Sequence, residues 1–418
     1  MHRSAHVVQS LQELLSKLGT DHKAPLKDAR LLFSFTGQGS IYRGMGAELY
    51  HMLPFLRFTL DSFQDLCDAQ GLDRFLDLII GAQEVATATA CQTQLSLAAL
   101  EVAMVHLLRS LRLQPTLVMG QSLGEYAALY AAGVLSVSDM LYLVHTRASL
   151  IQAHCTAHAY SMLAVSMSYN DAADFLRKSN CPTCQIACIN APAMTVISGT
   201  NNELAVLQST VQIRDVHASL LKVQYGFHSS QLEPLLERFE EAARKVHFSA
   251  PRVPVASTLL GEVVRNDGVF NAAYLRRQMR EPVDFLGAVR ACEAQKLLQA
   301  NSLALELSPH PICTALMAKS CSKKDLTTLS SLQQGQDGWK SLSNCLAALH
   351  VAGLPVNWHQ FHRDSEPCLR LLHLPAYAFD PKTYWMPYKT RREPQDPREA
   401  NVACSDRFRT PSCNAWTA

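Results

Sequence analysis

The order of apolar and polar positions predicts an α/β core with a mainly parallel sheet. Short apolar runs at residues 31–35, 117–119 and 303–307 each end at a glycine- or proline-containing turn, which is typical of buried parallel strands. Over residues 94–113, leucines and a methionine recur at i, i+3 and i+4, the spacing of a packed helix, and Gln114-Pro115 ends it. Strands that alternate with long helices favour this fold class.

A segment with a different order of predicted strands and helices interrupts this core, and we expect it to form a ferredoxin-like subdomain over residues 160–225. Its predicted order is β-α-β-β-α-β. The strands are expected at 162–167, 185–189, 195–198 and 220–224, with helices at 171–178 and from Thr200 onward. Glu203, three residues after Thr200, predicts a capping box at the second helix.

The remaining boundaries follow from changes in composition. We expect an N-terminal amphipathic helix and linker at 1–30, and the core in two parts at 31–159 and 226–335. A C-terminal linker is expected at 336–389, and a charged, proline-containing start predicts a disordered tail at 390–418.

Composition narrows the function classes. The 418-residue chain is 48% apolar and 18% charged, which excludes a disordered chain, and its 38 basic and 36 acidic residues give a net charge of +2. That balance lacks the basic footprint of a nucleic-acid-binding protein. No run reaches 18 apolar residues, so no membrane span is expected.

The 13 cysteines, an odd and scattered set, predict reduced thiols. Residues 1–20 lack the apolar segment of a signal peptide, so the expected location is the cytoplasm. Cys181, Cys184 and Cys188 lie close together in sequence, but no second Cys/His pair follows at zinc-finger spacing, so no metal is predicted.

The motif Gly120-Gln121-Ser122-Leu123-Gly124 lies between a predicted strand and a predicted helix, as a nucleophile elbow requires. The glycines permit a sharp turn that exposes the Ser122 hydroxyl, and the Leu123 amide at the helix N-terminus suits an oxyanion. The simpler interpretation is a structural glycine-rich turn. The flanking pattern favours a nucleophilic serine.

A serine hydroxyl needs a base, and the chain has 16 histidines. His228, in Tyr225-Gly226-Phe227-His228-Ser229-Ser230, directly follows the predicted subdomain. A lone histidine is more often structural, so the pattern alone does not assign it. His310 is the weaker alternative base.

Several motifs, taken in order, resemble the malonyl-CoA:acyl-carrier-protein transacylases, and most closely the acyltransferase domain of fungal non-reducing polyketide synthases. The resemblance covers roughly residues 30–389. The motifs that carry it are Phe35-Thr36-Gly37-Gln38-Gly39, Gly120 to Leu129, Ile189-Asn190-Ala191-Pro192, Val196 to Gly199, Tyr225 to Ser230, Glu281-Pro282-Val283-Asp284-Phe285, Ser308-Pro309-His310-Pro311 and Leu374 to Trp385.

The resemblance implies an α/β-hydrolase-like core and a site with named roles. Ser122 would be acylated, and His228 would activate it while held by a backbone carbonyl, for which the loop 307–310 is a candidate. The amides of Gln38 and Leu123 would form the oxyanion hole. The remaining implied residues line the acyl pocket: Arg147 would pair with the malonyl carboxylate, Gln94 would line the pocket, and Phe227 would disfavour α-methyl extender units.

The implied reaction moves malonyl from coenzyme A to the phosphopantetheine thiol of an acyl carrier protein, in polyketide biosynthesis. No bound cofactor is expected, and the partners would be malonyl-CoA and the carrier protein, not nucleic acid or membrane. Two alternatives remain open: a thioesterase or other α/β-type hydrolase, and a catalytically idle synthase remnant that serves as a docking partner.

Three positions depart from the family pattern. Gln121 stands where histidine usually precedes the nucleophile, so acyl selectivity or rate is expected to differ. Gly226 replaces alanine, which is expected to loosen the His228 loop. Ser308 replaces glycine, and would be strained if that position requires a positive φ.

Overall fold

The computed structural model describes residues 3–18, 25–322 and 326–370. The chain divides into two compact units, Met1–Pro367 and Cys368–Ala418, and the fold below is that of the first. The predictions for residues 371–418, which include the last part of the linker and all of the disordered tail, lie outside the described residues.

The strands form two sheets. In chain order they are β1 Arg30–Phe35, β2 Leu117–Gly120, β3 Tyr160–Val165, β4 Gln185–Ala191, β5 Met194–Thr200, β6 Ala218–Leu220, β7 Val255–Ser257, β8 Glu262–Val264, β9 Val283–Asp284, β10 Ser302–Glu306 and β11 Thr327–Ser330.

The larger sheet has six strands in the order β11-β10-β1-β2-β7-β8. Its neighbouring strands are parallel except for the edge pair β7 and β8. The predicted α/β core with a mainly parallel sheet is therefore confirmed. Every residue of β2 and β10 is buried, as expected for parallel strands covered on both faces, which explains the apolar residues Leu117–Met119 and Leu303–Leu305 at their centres.

The smaller sheet has the order β6-β3-β5-β4-β9, and β3 to β6 with their two helices follow the predicted β-α-β-β-α-β order. The last strand is β6, Ala218–Leu220, so the strand predicted at 220–224 is displaced. The chain turns away at this sheet edge, where Leu220 and Leu221 are exposed. Strand β9, parallel to β4, comes from the core and was not predicted.

The helices surround these sheets. They are α1 Leu11–Lys17, α2 Ala47–Met52, α3 Pro54–Gln70, α4 Leu76–Ile80, α5 Ala90–Ser110, α6 Gly124–Ala132, α7 Val137–His154, α8 Tyr169–Lys178, α9 Asn201–Ile213, α10 Leu236–Ala243, α11 Ala272–Arg280, α12 Phe285–Ala294, α13 Cys313–Ser320, α14 Gly338–Val351 and α15 Trp358–His362, with 3-10 turns at Gln38–Ser40, Val85–Thr87, Ser230–Leu235 and Arg363–Cys368.

Two helices refine the sequence predictions. Among the described residues, α5 alone is long and apolar enough to cross a bilayer, but 83% of its apolar window is buried in the fold, as in a core helix. The predicted capping box at α9 is wrong, because the Thr200 side chain makes no cap hydrogen bond. The Glu203 carboxylate instead accepts hydrogen bonds from the amide and hydroxyl of Thr183, at 2.9 and 2.6 Å.

Candidate active site

Ser122 lies at the turn between β2 and α6, at the carboxyl end of the central strands. Its φ of +53° is in the left-handed region, which side chains other than glycine rarely adopt. A Cβ at Gly120 would lie 2.4 Å from the Glu125 Cα, and one at Gly124 would lie 2.3 Å from the Phe35 carbonyl oxygen. Both glycines are therefore required by close backbone approach, and the elbow geometry is present.

His228 lies against this turn. The Ser122 Oγ is 2.7 Å from the His228 Nε2, and the His228 Nδ1 is 3.0 Å from the main-chain carbonyl oxygen of Glu281. Because a carbonyl only accepts, Nδ1 carries the proton and Nε2 accepts the hydrogen bond from the serine hydroxyl. The orienting carbonyl thus follows α11 rather than lying in the loop 307–310, and Ser122 contacts His228 rather than His310.

The His228 imidazole is held neutral. Burial, and then the nearby Arg147 guanidinium, lower its pKa from 6.5 to about 3. Both effects disfavour a positive charge on the imidazole ring. At neutral pH the ring is therefore free to accept the proton of Ser122.

Arg147 on α7 is 1% exposed and lies beside Gln94 of α5. Its Nη1 donates a hydrogen bond to the Gln94 Oε1, and its guanidinium carbon is 5.4 Å from the centroid of the Phe227 ring. Arg147 thus contacts both of the other residues that the family resemblance placed in the acyl pocket.

This buried guanidinium has no carboxylate partner within the described part of the chain. The Arg147 Nε, the Gln94 Nε2 and the Tyr126 hydroxyl are all buried without a hydrogen-bond partner there. All three can donate, and an unpaired buried charge is costly. The cluster is therefore suited to an anion that enters with a substrate.

The segment 36–38 packs against the turn that carries Ser122. A Cβ at Gly37 would lie 3.3 Å from the Gln121 carbonyl oxygen and 3.9 Å from the Leu123 nitrogen. Gln38 begins a 3-10 turn and Leu123 is the N-cap of α6, positions whose amides have no intrahelical acceptor. Both predicted oxyanion residues therefore belong to backbone segments that meet at Ser122.

The three departures from the family pattern have structural consequences. The Gln121 Nε2 donates to the Asn190 Oδ1 at 2.9 Å, which ties the elbow to β4 of the smaller sheet. Ser308 is not among the described residues with positive φ, so it carries none of the anticipated strain. Its hydroxyl donates at 2.7 Å to the buried carboxyl of Glu101.

The expectation of a loose loop at Gly226 is wrong. A Cβ there would lie 2.6 Å from the Ser198 Oγ and 2.8 Å from the Tyr160 Cβ. The Gly226 amide donates to the Gln231 Oε1 at 2.7 Å, and its carbonyl accepts from the Ser229 hydroxyl at 2.5 Å. The glycine permits close packing, and hydrogen bonds hold the loop.

Sequence reasoning missed a buried network behind the elbow. Glu125 accepts hydrogen bonds from the hydroxyls of Tyr274 and Thr258, and burial raises its pKa to about 7. The Gln278 Nε2 donates to the Ser122 carbonyl oxygen at 2.7 Å. Glu125 directly follows the motif Gly120–Gly124, so its place in the sequence could have pointed to this network. Gln278 is 156 residues from Ser122, and no local pattern marks it.

Two side-chain clusters have the composition of metal ligands. Cys181, Cys184 and Glu203 bring their ligand atoms within 4.8 Å of one another, and so do Asp73, Cys91 and His145. Cys188, which the sequence grouped with the first pair, is not part of either cluster. Burial raises the pKa of the Cys184 and Cys91 thiols to about 12, so both are protonated at neutral pH.

A serine–histidine pair at the carboxyl edge of a parallel sheet, next to a ferredoxin-like subdomain, defines an acyl-transfer class of α/β protein. The model of the acyl transferase domain family matches residues 32–356, and the chain belongs to that family. The family resemblance and the fold class predicted from the sequence are both confirmed.

Curated relatives are fungal polyketide synthases. The chain is 44% identical to an orsellinic acid synthase of Emericella nidulans over 93% of its own length, and 42% identical to a non-reducing polyketide synthase of Floropilus chiversii over 93%. In both comparisons it spans 19% of the relative's length. The chain is thus an acyltransferase domain of the polyketide-synthase type.

Solved structures of acyltransferases are similar to this chain. The acyltransferase domain from the second module of the salinomycin polyketide synthase matches with a TM-score of 0.79 and 29% identity, over 91% of this chain and 89% of that one. The malonyl CoA-acyl carrier protein transacylase of Clostridium perfringens matches with a TM-score of 0.67 and 26% identity, over 77% and 98%.

Proposed function

We propose that this domain transfers malonyl from coenzyme A to the phosphopantetheine thiol of an acyl carrier protein, through an acyl-serine intermediate, in polyketide biosynthesis in the cytoplasm. The observation that carries the choice of malonyl is the buried Arg147, which has no acidic partner within the described residues and is 1% exposed. A guanidinium fork binds a free carboxylate bidentately, and malonyl has one where acetyl has none.

In the first half-reaction the Ser122 Oγ attacks the thioester carbonyl while the His228 Nε2 accepts its proton. The Oγ–Nε2 distance of 2.7 Å supports direct transfer. The C–S bond then breaks, and the coenzyme A thiolate takes the proton from the imidazolium to leave as a thiol. The malonyl group remains as a serine ester.

In the second half-reaction His228 accepts the proton of the phosphopantetheine thiol, and the thiolate attacks the ester carbonyl. The C–O bond to Ser122 breaks, and the proton returns to the Oγ. The carbonyl of Glu281, 3.0 Å from the Nδ1, stabilises the imidazolium formed in each step. Across both half-reactions, malonyl-CoA and the carrier thiol are converted to the malonyl thioester of the carrier and free coenzyme A, and Ser122 and His228 are regenerated.

The oxyanion of each tetrahedral intermediate would be bound by the amides of Gln38 and Leu123. Phe227 and Gln94 would close the acyl pocket around the Arg147 carboxylate site. The contact of Arg147 with both side chains supports this assignment. Malonyl-CoA and the carrier protein would be the partners, with no bound cofactor.

The deciding experiment exposes the purified protein to malonyl-CoA labelled in the malonyl group, with and without an added phosphopantetheinylated carrier protein. We expect label on the Ser122 peptide, discharged onto the carrier. Ser122→Ala should carry no label. Ser302→Ala is the control for removal of a serine hydroxyl from the core, because Ser302 is buried and begins β10, at the amino end of the parallel strands.

The alternatives give different results. A hydrolase would release malonate to water as fast as the carrier accepts malonyl. A docking remnant would bind the carrier without labelling of Ser122. Retention of the label in Ser122→Ala would refute the assignment of the nucleophile.

A further inference from the structure

One face of α11 supports both members of the serine–histidine pair. Tyr274, Gln278 and Glu281 follow at i, i+4 and i+7, which places them along one side of the helix and its C-terminus. Tyr274 donates to Glu125, Gln278 donates to the Ser122 carbonyl, and the Glu281 carbonyl accepts from His228. The first two contacts reach the turn that carries Ser122, and the third reaches the base.

The contact of Gln278 bears on the peptide that follows the nucleophile. The Ser122 carbonyl oxygen accepts one hydrogen bond from inside the turn, the Glu125 amide at 3.1 Å, and one from Gln278 at 2.7 Å. Gln278 is 3% exposed. Its side-chain amide faces two acceptors, the Ser122 carbonyl and the Glu125 carboxyl. The amide is therefore oriented with its NH₂ group, not its oxygen, toward them.

The Ser122 C=O and the Leu123 N–H belong to the same planar peptide unit. In a trans peptide these two groups point in opposite directions, so a bond that fixes the carbonyl also fixes the direction of the amide. A carbonyl that accepts a hydrogen bond also polarises the N–H of its own peptide, which strengthens it as a donor. Ser122 has a φ of +53°, and such a turn persists only where its surroundings hold it.

We propose that Gln278 is a positioning residue: its side-chain amide aims and polarises the Ser122–Leu123 peptide, so that the Leu123 N–H is directed at the oxyanion. This inference rests on the proposed acyl-serine chemistry, since it assigns Leu123 to the oxyanion hole. It also explains why a buried glutamine from a distant helix lies behind the elbow.

The test compares Gln278→Met with Gln64→Met. Methionine matches the length of glutamine and cannot donate. Gln64 is also 3% exposed and also hydrogen-bonded, through its Oε1 to the Phe75 amide, but it lies on α3 away from Ser122. Each variant is assayed for malonylation of Ser122 and for reaction with an alkyl fluorophosphonate, in which the Oγ displaces fluoride from phosphorus without any acyl-CoA.

We expect Gln278→Met to lower the maximal rate constant of Ser122 modification in both reactions about 10- to 100-fold per folded molecule, since misaiming an oxyanion donor costs no more than its removal. The KM for malonyl-CoA should change less than about twofold, because the oxyanion exists only in the transition state. Gln64→Met should lose thermal stability to a similar degree and keep both rates. Wild-type rates in Gln278→Met, or a raised KM for malonyl-CoA with unchanged maximal rate constants, would overturn the proposal.

Gln278→Glu supplies a second signature if the methionine variant does not fold. A protonated glutamic acid can donate to the Ser122 carbonyl, whereas a carboxylate is repelled by it and by Glu125. The fluorophosphonate rate of this variant should therefore fall as pH rises, with a descending limb that the wild type lacks. A pH profile that parallels the wild type would overturn the proposal. A wild type that reacts with the fluorophosphonate but is never malonylated would refute the proposed function alone.

Discussion

The His228 Nδ1 lies 3.0 Å from the main-chain carbonyl oxygen of Glu281, so the backbone orients the imidazole. The side chain of Glu281 points elsewhere: its two carboxylate oxygens accept from the Arg277 Nε and Nη2, at 2.7 and 3.0 Å. This pair is half-exposed, so the Glu281 carboxylate is not the acidic third member of a hydrolase triad.

Glu281→Ala should therefore leave the rate of Ser122 acylation within about fivefold of the wild type, because it removes only a surface ion pair and keeps the carbonyl. In a carboxylate-dependent triad, replacing the acid lowers kcat about 10⁴-fold. The measurement is single-turnover labelling by malonyl-CoA, with Arg277→Ala as the matched loss of the same ion pair. A drop of 10³-fold in Glu281→Ala alone would mean that the side chain takes part.

Arg147→Ala should reduce malonyl transfer more than acetyl transfer. The variant loses charge-assisted hydrogen bonds to the malonyl carboxylate, worth about 1.5–3 kcal/mol, or roughly 10- to 150-fold in kcat/KM. Acetyl has no carboxylate to lose. The ratio of the two kcat/KM values is the readout, and an equal loss of both would show that Arg147 does not select the acyl group.

The same arginine has a predicted effect on stability in the absence of substrate. Arg147→Met removes a buried cation that has no acidic partner among the described residues, and should raise the free energy of unfolding by about 1–4 kcal/mol. Arg244→Met, at an exposed arginine paired with Glu240, should change it by less than about 1 kcal/mol. Urea denaturation of the two variants checks this, and destabilisation by Arg147→Met would contradict it.

The sequence was sufficient for features that depend on local spacing. The run before Gly120 and the helix after Gly124 predicted the elbow, because strand, turn and helix are encoded within about 20 residues. Pairing His228 with Ser122 required the family resemblance, since the two residues are 106 positions apart. The contacts of Gln278 and of the Glu281 carbonyl could not be predicted, because a contact between residues distant in sequence produces no periodic pattern.

The expectation at Gly226 was wrong because the close packing of this glycine involves Tyr160 and Ser198, and only folding brings these residues next to it.

The depressed pKa of His228 predicts how activity depends on pH. Burial and Arg147 lower this pKa from 6.5 to about 3, so the base stays neutral and acylation should show no inflection between pH 5 and 8. A rate that rises with pH through an inflection near pH 6.5 would mean that the imidazole titrates as an exposed group does. The rate of Ser122 labelling in the first half-reaction is the measurement.

The same lowered pKa should make the stability of the protein depend on pH. Between pH 6.5 and 3 the unfolded chain binds a proton at residue 228 that the folded chain does not, so the free energy of unfolding falls as pH drops through this window. His228→Asn should remove that part of the slope, while His247→Asn, at an exposed histidine, should retain it. Equal slopes in the wild type and in His228→Asn would contradict the prediction.

Gly226→Ala, which restores the residue usual in the family, should destabilise this protein. The added Cβ would lie 2.6 Å from the Ser198 Oγ and 2.8 Å from the Tyr160 Cβ, so β3 or the His228 loop must shift. Overpacking of this kind costs about 1–3 kcal/mol. Because the shift displaces His228 relative to Ser122, the acylation rate should fall as well. Gly39→Ala, whose Cβ would meet only the Ile312 Cδ1 at 3.4 Å, is the control for stability. An alanine at 226 that leaves both the melting temperature and the rate unchanged would show that the loop has room, as the sequence alone suggested.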